Sequence, residues 1–322
     1  MDDNLKINKQ NSGQRKISAG KIVGFVFLGL FIFFILSGGC FLFGFFSGAT
    51  SNIFKTAPSL TPGKDSIYLI KIEGVISGTS SAGIFSSAVV TPEYMIEQFK
   101  EAEKNPYVKA ILIRVNSGGG SAAASQEIFE ELKKVKKPVV VSVGDICASG
   151  AYYISCAADK IIANKTSSVG SIGVIMQIPN LEELYKKLGI KYTTIKHGKY
   201  KDVGSSDRPL TAEEEELFKK QTYKIYNQFI ADVASSRNLS EEKVREIATG
   251  WVYLGSEAKE LGLIDEIGTY KDAEKIAAQL GGILGEPNII SKSRYNLLDM
   301  LLNYSMNYVF SKILSVSDIH IE

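Results

Sequence analysis

The stretch KAILIRVNSGGGSAAASQEIFEELKKVKKPVVVSV, Lys109 to Val143, limits the possible folds more than any other part of the chain. Two short apolar runs, KAILIRV and VVVSV, flank a glycine loop and a segment with helical spacing. Runs without a polar face suit strands buried on both sides, as in parallel sheets. Strand, loop, helix and strand in that order read as a right-handed βαβ unit. The loop NSGGGS then leaves the carboxyl end of a strand, where such sheets place their sites.

The rest of the chain fits an α/β reading. SIYLIKIEGVIS (Ser66 to Ser77) alternates like a strand, and SGTSSAGIFSSAVV after it is a loop of low charge. Thr91 caps a helix whose first turn holds Pro92. After VVVSV, GAYYISCAA supplies a second crossover helix and KIIAN a third strand. NLEELYKKLG is a helix, and Lys191 to Val203 a strand leading into a loop. Thr211 opens a long amphipathic helix with acidic residues in its first turn. Helices around SEEKVREIA, SEAKELG and KDAEKIAAQLGG follow. The expected domain spans residues 66–280, with a tail over 281–322 whose LLDMLLNYSMNYVFSKIL is an amphipathic docking helix.

The amino-terminal part has a different character. After Lys21 the chain runs 25 residues, 22–46, without a charge, enough to cross a hydrocarbon core of about 30 Å as a helix. A cleaved signal peptide would have a shorter apolar core of roughly 7–15 residues, although SGATS (Ser47 to Ser51) offers small residues for cleavage. A retained transmembrane anchor is the favoured reading. Lys6, Lys9, Arg15, Lys16 and Lys21 make residues 1–21 a basic cytoplasmic segment. The Ser-, Thr-, Pro- and Gly-rich residues 47–65 form a linker, and the domain lies on the far side of the cell membrane. With 37 basic against 35 acidic residues and no basic stripe with interleaved aromatics, nothing points to nucleic acid.

Chemistry has few candidates. The histidines are His197 and His320, and neither an H-E-x-x-H pattern nor a cysteine pair at zinc spacing occurs, so no metal or cofactor is expected. Ser149, in GDICASGAYYISC, stands where a buried strand ends and a helix begins. It is either a helix cap or a nucleophile. With so few histidines, a serine hydrolase would most economically use lysine as its base. A free lysine has a pKa of about 10.4, and burial can lower it by several units to give a neutral amine. Gly118, Gly119 and Gly120 let backbone amides approach a substrate, and the Gly150 amide at a helix start faces the same cleft. Two such amides suit an oxyanion, one donor being worth about 3 kcal/mol. Gly118-x-Gly120-x-x-Ala123 with Asp145 also fits a dinucleotide pattern, a competing oxidoreductase reading. Cys147 and Cys156 flank Ser149 and are read as small buried residues, a disulfide between them being the alternative.

RVNSGGGSA, CASGAYYIS, AADKIIAN, SSVGSIGVI and KYKDVGSSDRPLT resemble, in order and spacing, the motifs of the signal peptide peptidase A family. These are membrane-anchored serine-lysine proteases. The resemblance runs from about Ser66 to Leu280 and implies a caseinolytic-protease/crotonase-like fold of repeated ββα superhelix after one transmembrane helix. It implies Ser149 as nucleophile, Lys201 as general base and Ser171 as the hydroxyl that orients the lysine. The oxyanion amides fall on Gly120 and Gly150, with Lys199 and Lys196 as fallback bases. It further implies cleaved signal peptides and other extended apolar peptides as substrates. Assembly is expected as a homo-oligomer, an octamer whose active sites draw on neighbouring protomers. A catalytically silent membrane scaffold of the same fold is the alternative. The family often has proline at Gly118 and a second glycine at Ala151.

Overall fold

The computed structural model describes residues 64–79 and 89–292. The expected cytoplasmic segment, membrane span and linker up to residue 63, most of the loop after Ser77, and the expected amphipathic helix in the tail lie outside the described residues. No helix among the described residues is long and apolar enough to cross a membrane.

The βαβ unit forms as its pattern dictates. β4 (Val108–Ser117) and β5 (Val139–Ala148) pair in parallel and are joined through α2 (Ala122–Leu132). Ile111, Ile113 and Val115 face one side of the sheet and Ala110 and Leu112 the other, and all five are buried, which is why the run has no polar face. β1 (Ser66–Glu73) lies parallel beside β4, and β10 (Asn288–Ile290) parallel beside β1, so the sheet continues past Leu280. On the other side come β6 (Lys160–Ala163) and β9 (Glu266–Ile267), both parallel. β5 serves two neighbours. Its Val140–Ser142 pair with β6, and its Ile146–Ala148 pair with β7 (Ser168–Gly170). β8 (Val252–Leu254) runs antiparallel to β7 and makes the sheet mixed. A small parallel ribbon of β2 (Val75–Ile76) and β3 (Val89–Val90) closes over the glycine loop, where Ile76 bridges to Gly120.

Helices cover both faces. α8 (Tyr270–Leu280) lays Ala273, Ala277 and Ala278 against Ile67, Ala110, Leu112, Val140 and Ile162. The opposite face takes α1 (Pro92–Lys104), α2 and α3 (Gly150–Ser155). Thr91 caps α1 through the Tyr94 N–H, as its sequence predicts. The expected strand over Lys191–Val203 is not formed. Residues 191–196 have no strand partner, and turns follow through Gly204. Tyr192, Thr193, Thr194 and Ile195 are residue types that suit extended backbone, but they pair with no strand among the described residues.

One region leaves this body. α5 (Ala212–Arg237) docks only its carboxyl end, through Phe229, Ile230, Val233 and Ala234. Its residues 212–228 extend about 24 Å at 1.5 Å per residue without a buried apolar side chain. The segment from Val174 to Leu210, including α4 (Glu182–Lys187), runs beside it; Val174, Met176, Ile178 and Leu210 line a groove of about 370 Å³ with Phe218 and Thr222. Among the described residues from Gly173 to Gln228, Glu214 is the one that is buried. Ordering a backbone costs about 1–2 kcal/mol per residue, and this arm has no apolar core to offset it. Ile175 and Ile195 are 84% and 88% exposed.

Candidate active site

Ser149 follows the last residue of β5 and precedes the first of α3. Its N–H donates to the Gly170 carbonyl at 2.7 Å, and its own carbonyl accepts from Tyr153 N–H at 2.9 Å. The backbone is therefore fixed on both sides. It is fixed in a conformation residues with a Cβ rarely adopt, φ 52° and ψ −123°. The helix-cap reading fails here, because the hydroxyl makes no capping bond to α3. It is half-buried, with no hydrogen-bond partner among the described residues. A strained turn between a strand end and a helix start, presenting an uncommitted hydroxyl, is the geometry of a nucleophile elbow.

The helix behind it is held rigidly. The Tyr152 hydroxyl donates to the Leu263 carbonyl at 2.9 Å. Tyr153 stacks between Phe129 and Phe229, with centroids 4.8 and 4.7 Å away, and its hydroxyl donates to Asp232 on α5. Every residue of α3 is buried. A Cβ at Gly150 would lie 2.2 Å from the Ser125 hydroxyl oxygen on α2, so a larger residue there requires that side chain to shift.

The glycine loop lies directly against this turn. At Gly119, φ 95°, a Cβ would meet the Gly150 nitrogen at 2.6 Å and Ser149 Cβ at 2.9 Å. The Ser117 hydroxyl straps the loop down, donating to the Gly74 carbonyl at 2.6 Å and accepting the Gly119 N–H at 3.1 Å. Ile76 accepts from Ser121 N–H and donates to the Gly119 carbonyl. Those bonds use the amides of Gly119 and Ser121 and leave that of Gly120 without an acceptor among the described residues. The Gly150 amide, first in α3, has none among the described residues either. The Gly120 nitrogen is 3.5 Å from where a Gly150 Cβ would stand, so the two free amides are neighbours beside Ser149. Ser121 Oγ caps α2 through the Ala124 N–H, and Ile76 covers Gly120.

Ser171 follows β7 as Ser149 follows β5, and the Ala148–Gly170 pairing sets the two serines side by side at the strand ends. Its φ is 50°. Apart from Asn238, which ends α5 in the left-handed conformation, these two serines are the described non-glycine residues with positive φ. Ser171 Oγ donates to the Gly250 carbonyl at 3.1 Å, and its N–H to that of Trp251 at 2.8 Å.

Lys201 lies elsewhere, in the turns of the projecting arm, and is exposed. No hydrogen bond or ion pair links its ammonium to Ser149 or to any other described residue. Two lysines near it in sequence are engaged, Lys196 with Asp202 and Lys199 with Glu213 at 2.6 Å. The arm is tied to α5 at Glu214, whereas α3 is tied to it at Asp232, 18 residues and roughly 27 Å further along. Cys147 and Cys156 are buried free thiols rather than a disulfide, and burial pushes each up to about 12. No cluster of His, Cys, Asp and Glu suited to a metal ion occurs among the described residues. Ser117 and Ser125 have no role legible in the sequence; the NSGGGS motif contains the first, but only the packing shows what each touches.

A family model described as Clp protease matches residues 86–169, and one described as Peptidase family S49 matches residues 131–283. A protein of Synechocystis sp., named as a candidate protease, is 40% identical over 229 residues, covering 70% of this chain and 78% of its own. The chain belongs to peptidase family S49. A candidate protease of Methanocaldococcus jannaschii is 46% identical over 211 residues, covering 65% of this S49 chain and 67% of its own. The chloroplastic serine protease SPPA of Arabidopsis thaliana is 37% identical over 236 residues, 72% of this chain but 35% of the plant protein. The fold is accordingly the α/β fold of the Clp proteases, here with a mixed sheet.

Proposed function

We propose that this S49 peptidase is a serine endopeptidase acting through an acyl-enzyme on Ser149, with Lys201 of a neighbouring copy as its base. The observation that carries the reading is the unbonded Ser149 hydroxyl on a strained turn beside the free amides of Gly120 and Gly150. Ser149 Oγ attacks the peptide carbonyl carbon while the lysine amine takes its proton. The oxyanion of the tetrahedral intermediate receives the two amides. The lysine then protonates the leaving amine as the C–N bond breaks. Water, deprotonated by the same lysine, releases the acyl group and restores the hydroxyl. Ser171, one strand away, is the hydroxyl that orients the lysine.

Supply of the lysine by a second copy follows from the arm. Its Lys201 has no hydrogen bond or ion pair to its own Ser149 among the described residues, and its exposed apolar residues suit a partner surface. A homo-oligomer would cover those residues and bring a lysine into a drier site, as a neutral amine requires. Extended apolar peptides, remnant signal peptides among them, are the proposed substrates. The uncharged run at 22–46 supports attachment to the cell membrane by a single span, with the peptidase domain outside the cytoplasm. Complementation tests the arrangement. Ser149→Ala and Lys201→Ala chains, each inactive alone, should regain peptide cleavage when co-expressed, because mixed assemblies contain sites with both groups intact. Continued inactivity in well-formed mixed oligomers would contradict supply by a neighbour.

A further inference from the structure

The single buried residue of the projecting arm is an acid, Glu214, and the contacts around it are unusually complete. Arg208 grips its carboxylate with both terminal nitrogens, Nη1 to Oε2 at 2.8 Å and Nη2 to Oε1 at 2.7 Å. Nη1 also donates to the Pro209 carbonyl at 3.0 Å. Nη2 reaches the Asp202 carbonyl at 3.4 Å, and Nε the Asp202 carboxylate at 3.2 Å. These contacts match in number the five N–H donors of a guanidinium. Glu214 in turn accepts the Thr211 N–H at 2.9 Å and closes the capping box that starts α5. Lys196 pairs with Asp202 Oδ1, which Arg208 Nη2 also approaches at 3.1 Å.

Asp202 is the residue after Lys201. The chain from Gly198 to Ser205 is otherwise a run of turns, held by Lys201 N–H to the Gly198 carbonyl at 3.3 Å and Ser205 N–H to that of Asp202 at 3.1 Å. No apolar side chain is buried there to fix it. We infer that Arg208 is the positioning residue for Lys201: by tying Asp202 to Glu214 it fixes the backbone from which that lysine projects. This rests on the reading of Lys201 as the base. A planar fork with all donors engaged defines an orientation that an ammonium cannot reproduce. The neighbouring charges support the same division of labour. Arg208 and Lys196 hold Asp202 down to about 2, so Asp202 stays ionised and bound to them at working pH, and Arg208 with the Thr211 backbone holds Glu214 down to about 2 as well. Lys199 is held by Glu213, which also accepts from Tyr200. Lys201 alone among the arm's lysines near this clamp has no carboxylate partner among the described residues.

Mixed oligomers provide a test that a merely structural role would not satisfy. In assemblies of Ser149→Ala and Lys201→Ala chains, the first kind donates the lysine and the second the serine. Arg208→Ala placed in the lysine-donating chain should lower recovered kcat about a hundredfold, the order expected for a base displaced by about 1 Å, with KM within about threefold. The same substitution in the serine-donating chain should leave recovered activity within about twofold. Arg208→Lys in the lysine-donating chain should fall between the two, and it serves if the alanine variant fails to assemble. Equal losses from either chain, or no loss from the lysine donor, would overturn the positioning role. A mixture that shows no recovery before Arg208 is changed would instead contradict the shared site. In that case kcat of the Arg208→Lys homo-oligomer, compared with wild type at equal KM, decides the positioning role, and an unchanged kcat overturns it.

Discussion

Replacing Ser149 by glycine removes the candidate nucleophile and should nonetheless make the protein more stable than replacing it by alanine. The reason is the backbone. A residue with a Cβ held at φ 52° and ψ −123° stores about 1–3 kcal/mol of strain. Glycine releases most of it, and loses about 0.5–1 kcal/mol through the greater entropy of its unfolded chain. The net gain is on the order of 1 kcal/mol. Ser149→Ala keeps the Cβ and the strain and deletes a hydroxyl without a hydrogen-bond partner, so its stability should stay within about 0.5 kcal/mol of wild type. For a domain of this size a kilocalorie moves the melting temperature by about 2–4 °C. Thermal melts of the two inactive variants at equal protein concentration should therefore separate by about 3 °C, glycine higher. Equal melting points, or a lower one for glycine, would refute the claim that the turn is strained around its side chain.

Gly119→Ala puts a methyl 2.6 Å from the Gly150 nitrogen and 2.9 Å from Ser149 Cβ at a positive φ; kcat should fall about a hundredfold or more, and activity within threefold of wild type would place the oxyanion site elsewhere. The thiols of Cys147 and Cys156, pushed up to about 12 by burial, should resist iodoacetamide at pH 8 until the domain unfolds, as read by peptide mass mapping. Rapid alkylation in the native state would show that the core around α3 opens.

The sheet was legible because its strands are buried on both faces, which leaves a run such as KAILIRV no polar alternation to misread. Helix starts were equally plain where Thr91 and Thr211 stand as caps. β7 and β8 are three residues each, too short to carry a period, so the strand that sets Ser171 beside Ser149 could not be seen. Lys191–Val203 shows the opposite error, for residue types that favour strands do not make one without a neighbouring strand to pair with. At the site, the serine and the glycines stood out in the sequence because strand-to-helix turns and close backbone approach demand them. The strain at Ser149, the free Gly120 amide and the Arg208 clamp depend on contacts between segments far apart in the chain, which spacing alone does not encode.

The central claim is that the Ser149 hydroxyl is an activated nucleophile, and covalent phosphonylation, in which its oxygen displaces fluoride from phosphorus, reads it directly. The folded protein treated with a fluorophosphonate should gain the mass of one adduct per chain, mapped to Ser149, and lose peptidase activity in step. Unfolded protein and the Ser149→Ala variant should gain none. A native, active enzyme that stays unlabelled at Ser149, or that is labelled and inactivated at another residue, would contradict the account.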